Sequence, residues 1–150
     1  MTTMNGVSAR DERLKILAAF RYEMRRFLSF SESAAERYGI ATQQYQLMQV
    51  IAAMEEGQDA SISYLADRMV LKHNSMVELV DRAERASLVK REHDERDLRR
   101  SLVRLTPEGR SILDKLVDEH MAELAPKCEP LIDALRNLQR LAVEATVHNG

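Results

Sequence analysis

Cysteine occurs once in these 150 residues, at Cys128, and tryptophan does not occur. A single thiol excludes an intramolecular disulfide framework, and no group of cysteines and histidines has the close spacing of a structural zinc site. A reducing cytoplasm and the absence of a metal centre fit that pattern. Glycine and proline are scarce, 5 and 3, as in a mostly helical chain rather than one built of turns and short strands. Long apolar runs are missing too. Nothing approaches the roughly 18 continuous apolar residues of a membrane span, and Met1 to Arg10 hold no apolar segment of signal-peptide length. The reading is a soluble, unexported protein with no membrane partner. Catalytic signatures are equally absent: there is no Gly-rich phosphate loop, no G-x-S-x-G elbow, and no cysteine with a histidine and asparagine constellation. An enzyme and a cofactor are therefore not expected.

What is present is a composition 45% hydrophobic, enough for one domain with a core but short for two. The net charge of −2 at first argues against a nucleic-acid partner, but its distribution is uneven. Residues 1–60 carry −1, residues 61–110 carry +2 and residues 111–150 carry −3. Within the middle third, Arg82 to Arg110 reaches +3, with four arginines between Arg96 and Arg104. A phosphate-gripping surface would lie there.

Apolar periodicity divides the chain into elements. Leu14, Leu17, Phe20, Met24, Phe27 and Leu28 follow helical steps and predict a long first helix from Asp11 to about Arg37, ended by Gly39. Thr42 is the expected N-cap of a second helix carrying Tyr45, Met48, Ile51 and Ala52, with Gly57 closing it. Ser61 caps a short third helix, Ile62 to Met69. A turn at Val70 to Lys72 leads into a fourth, His73 to Arg85. Ser87 to Arg91 and Ser101 to Leu105 are β-tolerant segments around the charged run Glu92 to Arg100, and predict a two-stranded hairpin with a polar tip. Thr106-Pro107 starts a fifth helix, with Thr as cap and Pro at the first helical position. Its stripe is Ile112, Leu113, Leu116, Val117 and Leu124. Pro126 interrupts it, and a sixth helix carries Leu131, Leu135, Leu138, Ala142 and Ala145.

The order helix, turn, helix, hairpin is that of a winged helix-turn-helix, whose second helix enters the major groove while the hairpin reaches the adjacent backbone or minor groove. The fold class is thus all-α with a small two-stranded β-wing. The first, fifth and sixth helices carry apolar stripes too large for a small central module to cover, and a second copy of the chain is the simplest partner. The expected division is residues 1–38 as an N-terminal dimerisation helix, 39–110 as the DNA-binding lobe, and 111–150 as C-terminal dimerisation helices.

The segments TQQYQL from Thr42, SISYLADRM from Ser61, NSMVELVDRAE from Asn74, LVKR from Leu88, DERDLRR from Asp94 and LVRLTPEGR from Leu102 together resemble the MarR family. The most specific piece is D-x-R-D-x-R at Asp94, Arg96, Asp97 and Arg99, followed by L-T-x-x-G at Leu105, Thr106 and Gly109. Two aspartates and three arginines within seven residues can pair inside the hairpin and still leave a guanidinium free for a narrow minor groove of negative potential. The resemblance implies that Asp97 orients an arginine and that Arg96 or Arg99 is inserted, with Asp94 and Asp97 shaping the wing and Arg100 beside them.

On the recognition helix the outward residues are Lys72, His73, Asn74, Ser75 and Glu78, with Arg82 a turn further on. Asn reads adenine, while Ser and Lys reach bases or phosphates. Leu71, Met76, Leu79, Val80 and Ala83 are read as core. This chain departs from the family's pattern at Lys72, where a capping Ser or Asp is common, at Glu78, where Arg, Lys or Thr is usual, and at Ser87, where Gly normally ends the helix. Glu78 either accepts from a cytosine amine or points away from the duplex.

The resemblance also implies a small aromatic or phenolic ligand bound between dimerisation helices and DNA-binding lobe, for which Phe20, Met24, Phe27, Phe30, Tyr38 and Tyr45 are the candidate lining; the plainer reading of that stripe is core. Arg25 and Arg26 are either partners for a ligand carboxylate or solvated. Cys128 is read as an inert, partly buried thiol, since peroxide sensors of the family keep theirs in the first helix. His73, His93, His120 and His148 form no H-x-x-x-H pair. The function expected is sequence-specific recognition of double-stranded DNA by a homodimeric transcription regulator. Its target would be an inverted repeat with half-sites roughly 10 bp apart, and repression would act by promoter occlusion. The competing reading is a winged helix that binds only protein, favoured by Glu78 and the acidic balance and opposed by the arginines of the wing.

Overall fold

The computed structural model describes residues 8–147, so His148 and the segment before Ser8 lie outside the described residues, as does the side chain of Ala145. Six α-helices and one two-stranded sheet follow one another as α1 (Ala9–Glu36), α2 (Thr42–Ala52), α3 (Ile62–Met69), α4 (His73–Arg85), β1 (Val89–His93), β2 (Ser101–Leu105), α5 (Pro107–Leu124) and α6 (Cys128–Val147). A 3-10 turn, Ala125–Lys127, separates the last two helices at Pro126. The described residues divide into two units, residues 8–31 with 121–147, and residues 32–120.

Residues 32–120 hold the core. Tyr45, Leu47 and Met48 of α2, Leu65 of α3, and Met76, Leu79, Val80 and Ala83 of α4 are buried with Val89, Val103, Leu113 and Leu116. Each large aliphatic side chain in that set contributes about 1.5–3 kcal/mol by leaving water. Local signals fix the helix ends around it. Gly39 is left-handed, φ 69°, and the Ile40 amide returns to the Ala35 carbonyl at 3.2 Å, closing α1 as a glycine there should. Ser61 Oγ accepts from the Tyr64 amide at 3.2 Å, starting α3 where the sequence places it.

Two expected ends are corrected. The N-cap of α2 is Ala41, extended at φ −65° and ψ 141°, and Thr42 is already the first helical residue; the buried Ile40 fixes the entry of the chain one residue earlier. The same helix stops at Ala52, where Ala53 caps it. Gly57, φ 85°, serves a separate turn in which the Gln58 amide bonds the Glu55 carbonyl at 3.1 Å.

The sheet is antiparallel, pairing Val89 with Leu105, Arg91 with Val103 and His93 with Ser101. β2 coincides with its expected span, but β1 lies two residues later than Ser87 to Arg91. The cause is the end of α4: Ser87 is left-handed, φ 61°, and the Leu88 amide bonds back to the Ala83 carbonyl at 3.0 Å, so extended chain begins only at Val89. The far edge of β2 is also used. Val103 donates to the Ala60 carbonyl at 2.9 Å and Ser61 bridges Leu102, which ties the wing to the start of α3.

The other unit comprises α1 up to Ser31 and the chain from Met121. Lys127 places its ammonium 3.2 Å from the centre of the Phe30 ring, a cation–π contact. No helix among the described residues is long and apolar enough to cross a membrane.

Candidate nucleic-acid interface

Helices α3 and α4 are joined by a turn whose geometry aims the start of α4 outward. Val70 adopts φ 55°, and the Leu71 amide bonds the Ala66 carbonyl at 2.9 Å, a closure that normally employs glycine. Helix α4 then buries Met76, Leu79, Val80 and Ala83 and presents Lys72, His73, Asn74, Ser75, Glu78 and Arg82 to solvent. Leu71, expected in the core, is only half-buried and packs against its edge, because the turn it closes lies at the surface.

One residue of this lobe was not anticipated. Arg91, on the inward side of β1, donates Nη1 to Asp81 and Nη2 to the Val77 carbonyl at 3.4 Å. Its own amide donates to Glu84 Oε2 at 2.8 Å. Arg91 therefore couples the wing to three positions of α4 and offsets part of the acidic charge on that flank. The only sequence signal was a pair of acids spaced three apart on a helix ahead of a strand arginine, which any solvated surface also produces.

The base of the wing is built by the L-T-x-x-G segment. Thr106 Oγ1 accepts from the Gly109 amide at 2.9 Å and donates to the Ser87 carbonyl at 2.6 Å, while the Thr106 amide bonds Leu88 at 3.1 Å. Gly109 allows the close approach: a Cβ there would sit 2.1 Å from the Leu88 carbonyl oxygen. Thr106 and Gly109 thus lock α5 against the end of α4, from which the hairpin springs.

The tip is organised by its two aspartates. Asp94, almost wholly buried, accepts from the Arg96 amide at 2.9 Å and lies 3.7 Å from Arg100 Nη1. Asp97 Oδ1 accepts from both the amide and Nε of Arg99, at 3.1 and 3.2 Å. Arg96 reaches Asp59 at 3.5 Å. The side chain of Arg99 is 92% exposed and that of Arg96 81%, so each carries its charge at the surface despite an acidic neighbour. On the strands, a hydrogen bond from Lys90, with Arg104 nearby, holds the Glu92 carboxyl below the usual range, and β1 and β2 stay charged at their outer face.

Between the start of α3, the start of α4 and the wing lies a concavity of about 530 Å³ whose polar lining includes Ser61, Ser63, His73, Arg91, Arg99 and Arg100. The fold thus brings the recognition-helix position His73 together with the wing positions Arg99 and Arg100. Asn74, Ser75, Glu78, Arg82 and Arg96 lie outside that lining.

The candidate ligand residues are placed separately. Phe20, Met24 and Phe27 are half-buried on α1. Tyr45 is buried, which raises its phenol pKa, and its hydroxyl lies 3.0 Å from His120 Nδ1. Tyr38 donates to Glu119 at 2.7 Å, and that hydrogen bond raises its pKa. Cys128 is half-buried and its thiol donates to the Leu124 carbonyl at 3.3 Å. Among the described residues no three histidines, cysteines or acids gather as metal ligands would.

The arrangement matches known proteins. The MarR family model covers residues 38–100, from the end of α1 through the wing tip. No curated protein matches the chain in sequence. Among solved structures, a MarR family protein from Bacillus stearothermophilus is 26% identical, with 89% of this chain and 94% of that one aligned and a TM-score of 0.64. AbsC, a MarR family transcriptional regulator from Streptomyces coelicolor, is 20% identical over the whole of both chains with a TM-score of 0.65. Overoxidized AbfR bound to DNA, 20% identical, aligns over 83% of this chain and 90% of its own, with a TM-score of 0.60. The fold is that of the winged helix-turn-helix transcription regulators of this family.

Proposed function

Starting from a winged-helix segment of the MarR family, we propose that this chain is a sequence-specific double-stranded DNA-binding transcriptional regulator that acts as a homodimer on an inverted repeat. The observation that carries the reading is the concavity shared by His73 at the start of α4 and Arg99 and Arg100 of the wing. A helix start with exposed Asn74 and Ser75 beside a hairpin with exposed arginines suits base edges in one groove and phosphate or minor groove next to it. The DNA-bound state of AbfR, which shares the fold, is consistent with this use.

Dimerisation is supported by the apolar residues that α1 and α6 leave exposed, Leu14, Leu17, Leu28, Leu135 and Val143 among them. A two-fold dimer spaces two α4 helices about one turn of duplex apart. Repression by occlusion, relieved by a small aromatic or phenolic ligand, is the mode of regulation we assign, since blocking a promoter requires no contact with polymerase.

Fluorescence anisotropy tests the reading, with purified protein titrated at two salt concentrations into duplex from upstream of its own gene and into a scrambled duplex. The expected result is salt-dependent binding that favours the upstream duplex by about a thousandfold. A folded dimer that binds no duplex at low salt, across several upstream fragments, would instead make the lobe a protein-binding module.

A further inference from the structure

The concavity between α3, α4 and the wing has chemistry that base reading does not use. Two helix starts open on it: Ser61, the cap of α3, with Ile62 and Ser63 of its first turn, and His73, the first residue of α4. The first amides of a helix have no partner one turn earlier and carry a partial positive charge. Arg99, Arg100 and Ser101 close the opposite side and Arg91 completes the lining. Arg91 is already held by Asp81, Glu84 and the Val77 carbonyl, and Arg99 by Asp97 on the wing itself. Arg100 is held less tightly, with Asp94 at 3.7 Å. Hydroxyl, imidazole and guanidinium donors thus surround one space, and no carboxylate is part of its lining.

A duplex read by α4 in one groove and entered by the wing in the next has a sugar–phosphate strand running between them. The concavity lies between those two reading elements. We propose that it is a phosphate seat for that strand: Ser63, His73 and Arg100 contact one backbone phosphate, and the first turn of α3 faces it. The inference rests on the DNA-binding reading above and adds to it a residue, Ser63, that lies on neither the recognition helix nor the wing. It also assigns His73 and Arg100 to backbone positioning rather than base choice.

The test uses the full chain and two labelled duplexes, upstream and scrambled, titrated over a range of salt. Ser63→Asp puts a carboxylate into the seat. It lies in the first turn of α3, where a negative charge suits the helix dipole, and thermal unfolding checks that the variant is folded. The expected result is a loss of about tenfold or more on both duplexes alike, with the slope of log K against log salt reduced by about one. His73→Ala and Ser63→Ala should each weaken both duplexes a few-fold, and together by less than the product of their separate losses, because they share one phosphate. Wild-type binding combined with an unchanged affinity and slope in Ser63→Asp overturns the seat alone. A loss confined to the upstream duplex overturns it as well, since that is the signature of a base contact. Failure of the wild-type protein to bind either duplex overturns the DNA reading, and the phosphate occupant with it.

Discussion

The lobe of residues 32–120 and the unit formed by residues 8–31 and 121–147 use their apolar side chains in opposite ways. The lobe buries Tyr45, Leu47, Met48, Leu65, Met76 and Leu116 essentially completely, and its exposed apolar residues, Val70 and Leu98 for example, are isolated at a turn and at the wing tip. In the second unit Ala134 is the one buried apolar residue among the described residues, while Leu14, Leu17, Tyr22, Leu28, Met121, Leu135, Val143 and Val147 are exposed. On α6, Ile132, Leu135, Leu138 and Ala142 line an open groove of about 500 Å³. Exposed apolar surface gathered on one unit in this way marks a site of association. Residues 32–120 hold a core of their own, and the helical unit is the part we propose to be completed by a second copy of the chain.

The sharpest way to break this contrast is to charge the helical unit. Leu135→Glu removes about 2 kcal/mol of apolar burial at the proposed dimer contact and places there a carboxylate whose desolvation costs several kcal/mol more. The dissociation constant of the homodimer should rise about a thousandfold or more, read by sedimentation at micromolar protein. The lobe should keep its fold. A wild-type protein that sediments as a monomer, or a variant as dimeric as the wild type, would remove the assignment of this face to a second copy.

A smaller and opposite effect is expected within the lobe. Gly109→Ala drives a Cβ to 2.1 Å from the Leu88 carbonyl, so α5 and the root of the hairpin must separate. Overpacking of this kind costs about 1–3 kcal/mol, and the upper end applies because the opposing atom is backbone. Urea unfolding should show that loss with dimerisation unchanged. The wing loses its fixed base in the same step, and affinity for duplex should fall with it. Full stability in Gly109→Ala would mean that α5 is not locked to the hairpin.

How much of this was legible in the sequence depended on whether the signal was local. The spans of α3 and α4 follow from Ser61 as a cap and from amphipathic spacing, and Thr106-Pro107 marks α5 because capping and proline chemistry act within a turn. The end of α2 was not legible because Gly57 belongs to a separate turn, and the helix is already capped at Ala53, which carries no stop signal of its own. The register of β1 was missed by two residues because Ser87 takes the left-handed position that glycine usually fills. The pairing of β2 with Ala60 and Ser61 and the tether from Arg91 to Asp81 are contacts between segments that no periodicity links. At the interface, the outward residues of α4 and the arginines of the wing could be named from their pattern, but the concavity that joins His73 to Arg99 and Arg100 exists only once Ser61 and Ser63 are folded against the hairpin.

The smallest expected effect tests the lobe's two non-glycine residues in left-handed backbone. Val70 at φ 55° and Ser87 at φ 61° each close a helix with the geometry of a glycine cap, and the left-handed region costs an L-residue about 1–2 kcal/mol. Glycine removes that cost but gives back about 0.5–1 kcal/mol through the freedom it adds to the unfolded chain. Val70 is 90% exposed and buries almost nothing, so Val70→Gly should raise stability by about 0.5–1 kcal/mol. Ser87→Gly should raise it by a few tenths, since serine is not β-branched and the bond from Thr106 goes to the Ser87 carbonyl, which survives. Urea midpoints should therefore move upward in the order Ser87→Gly, then Val70→Gly, with the slope of the transition and the dimer dissociation constant unaltered. A fall in midpoint for Val70→Gly would show that its side chain makes a stabilising contact in the assembled protein, and would place the turn between α3 and α4 at an interface rather than in solvent.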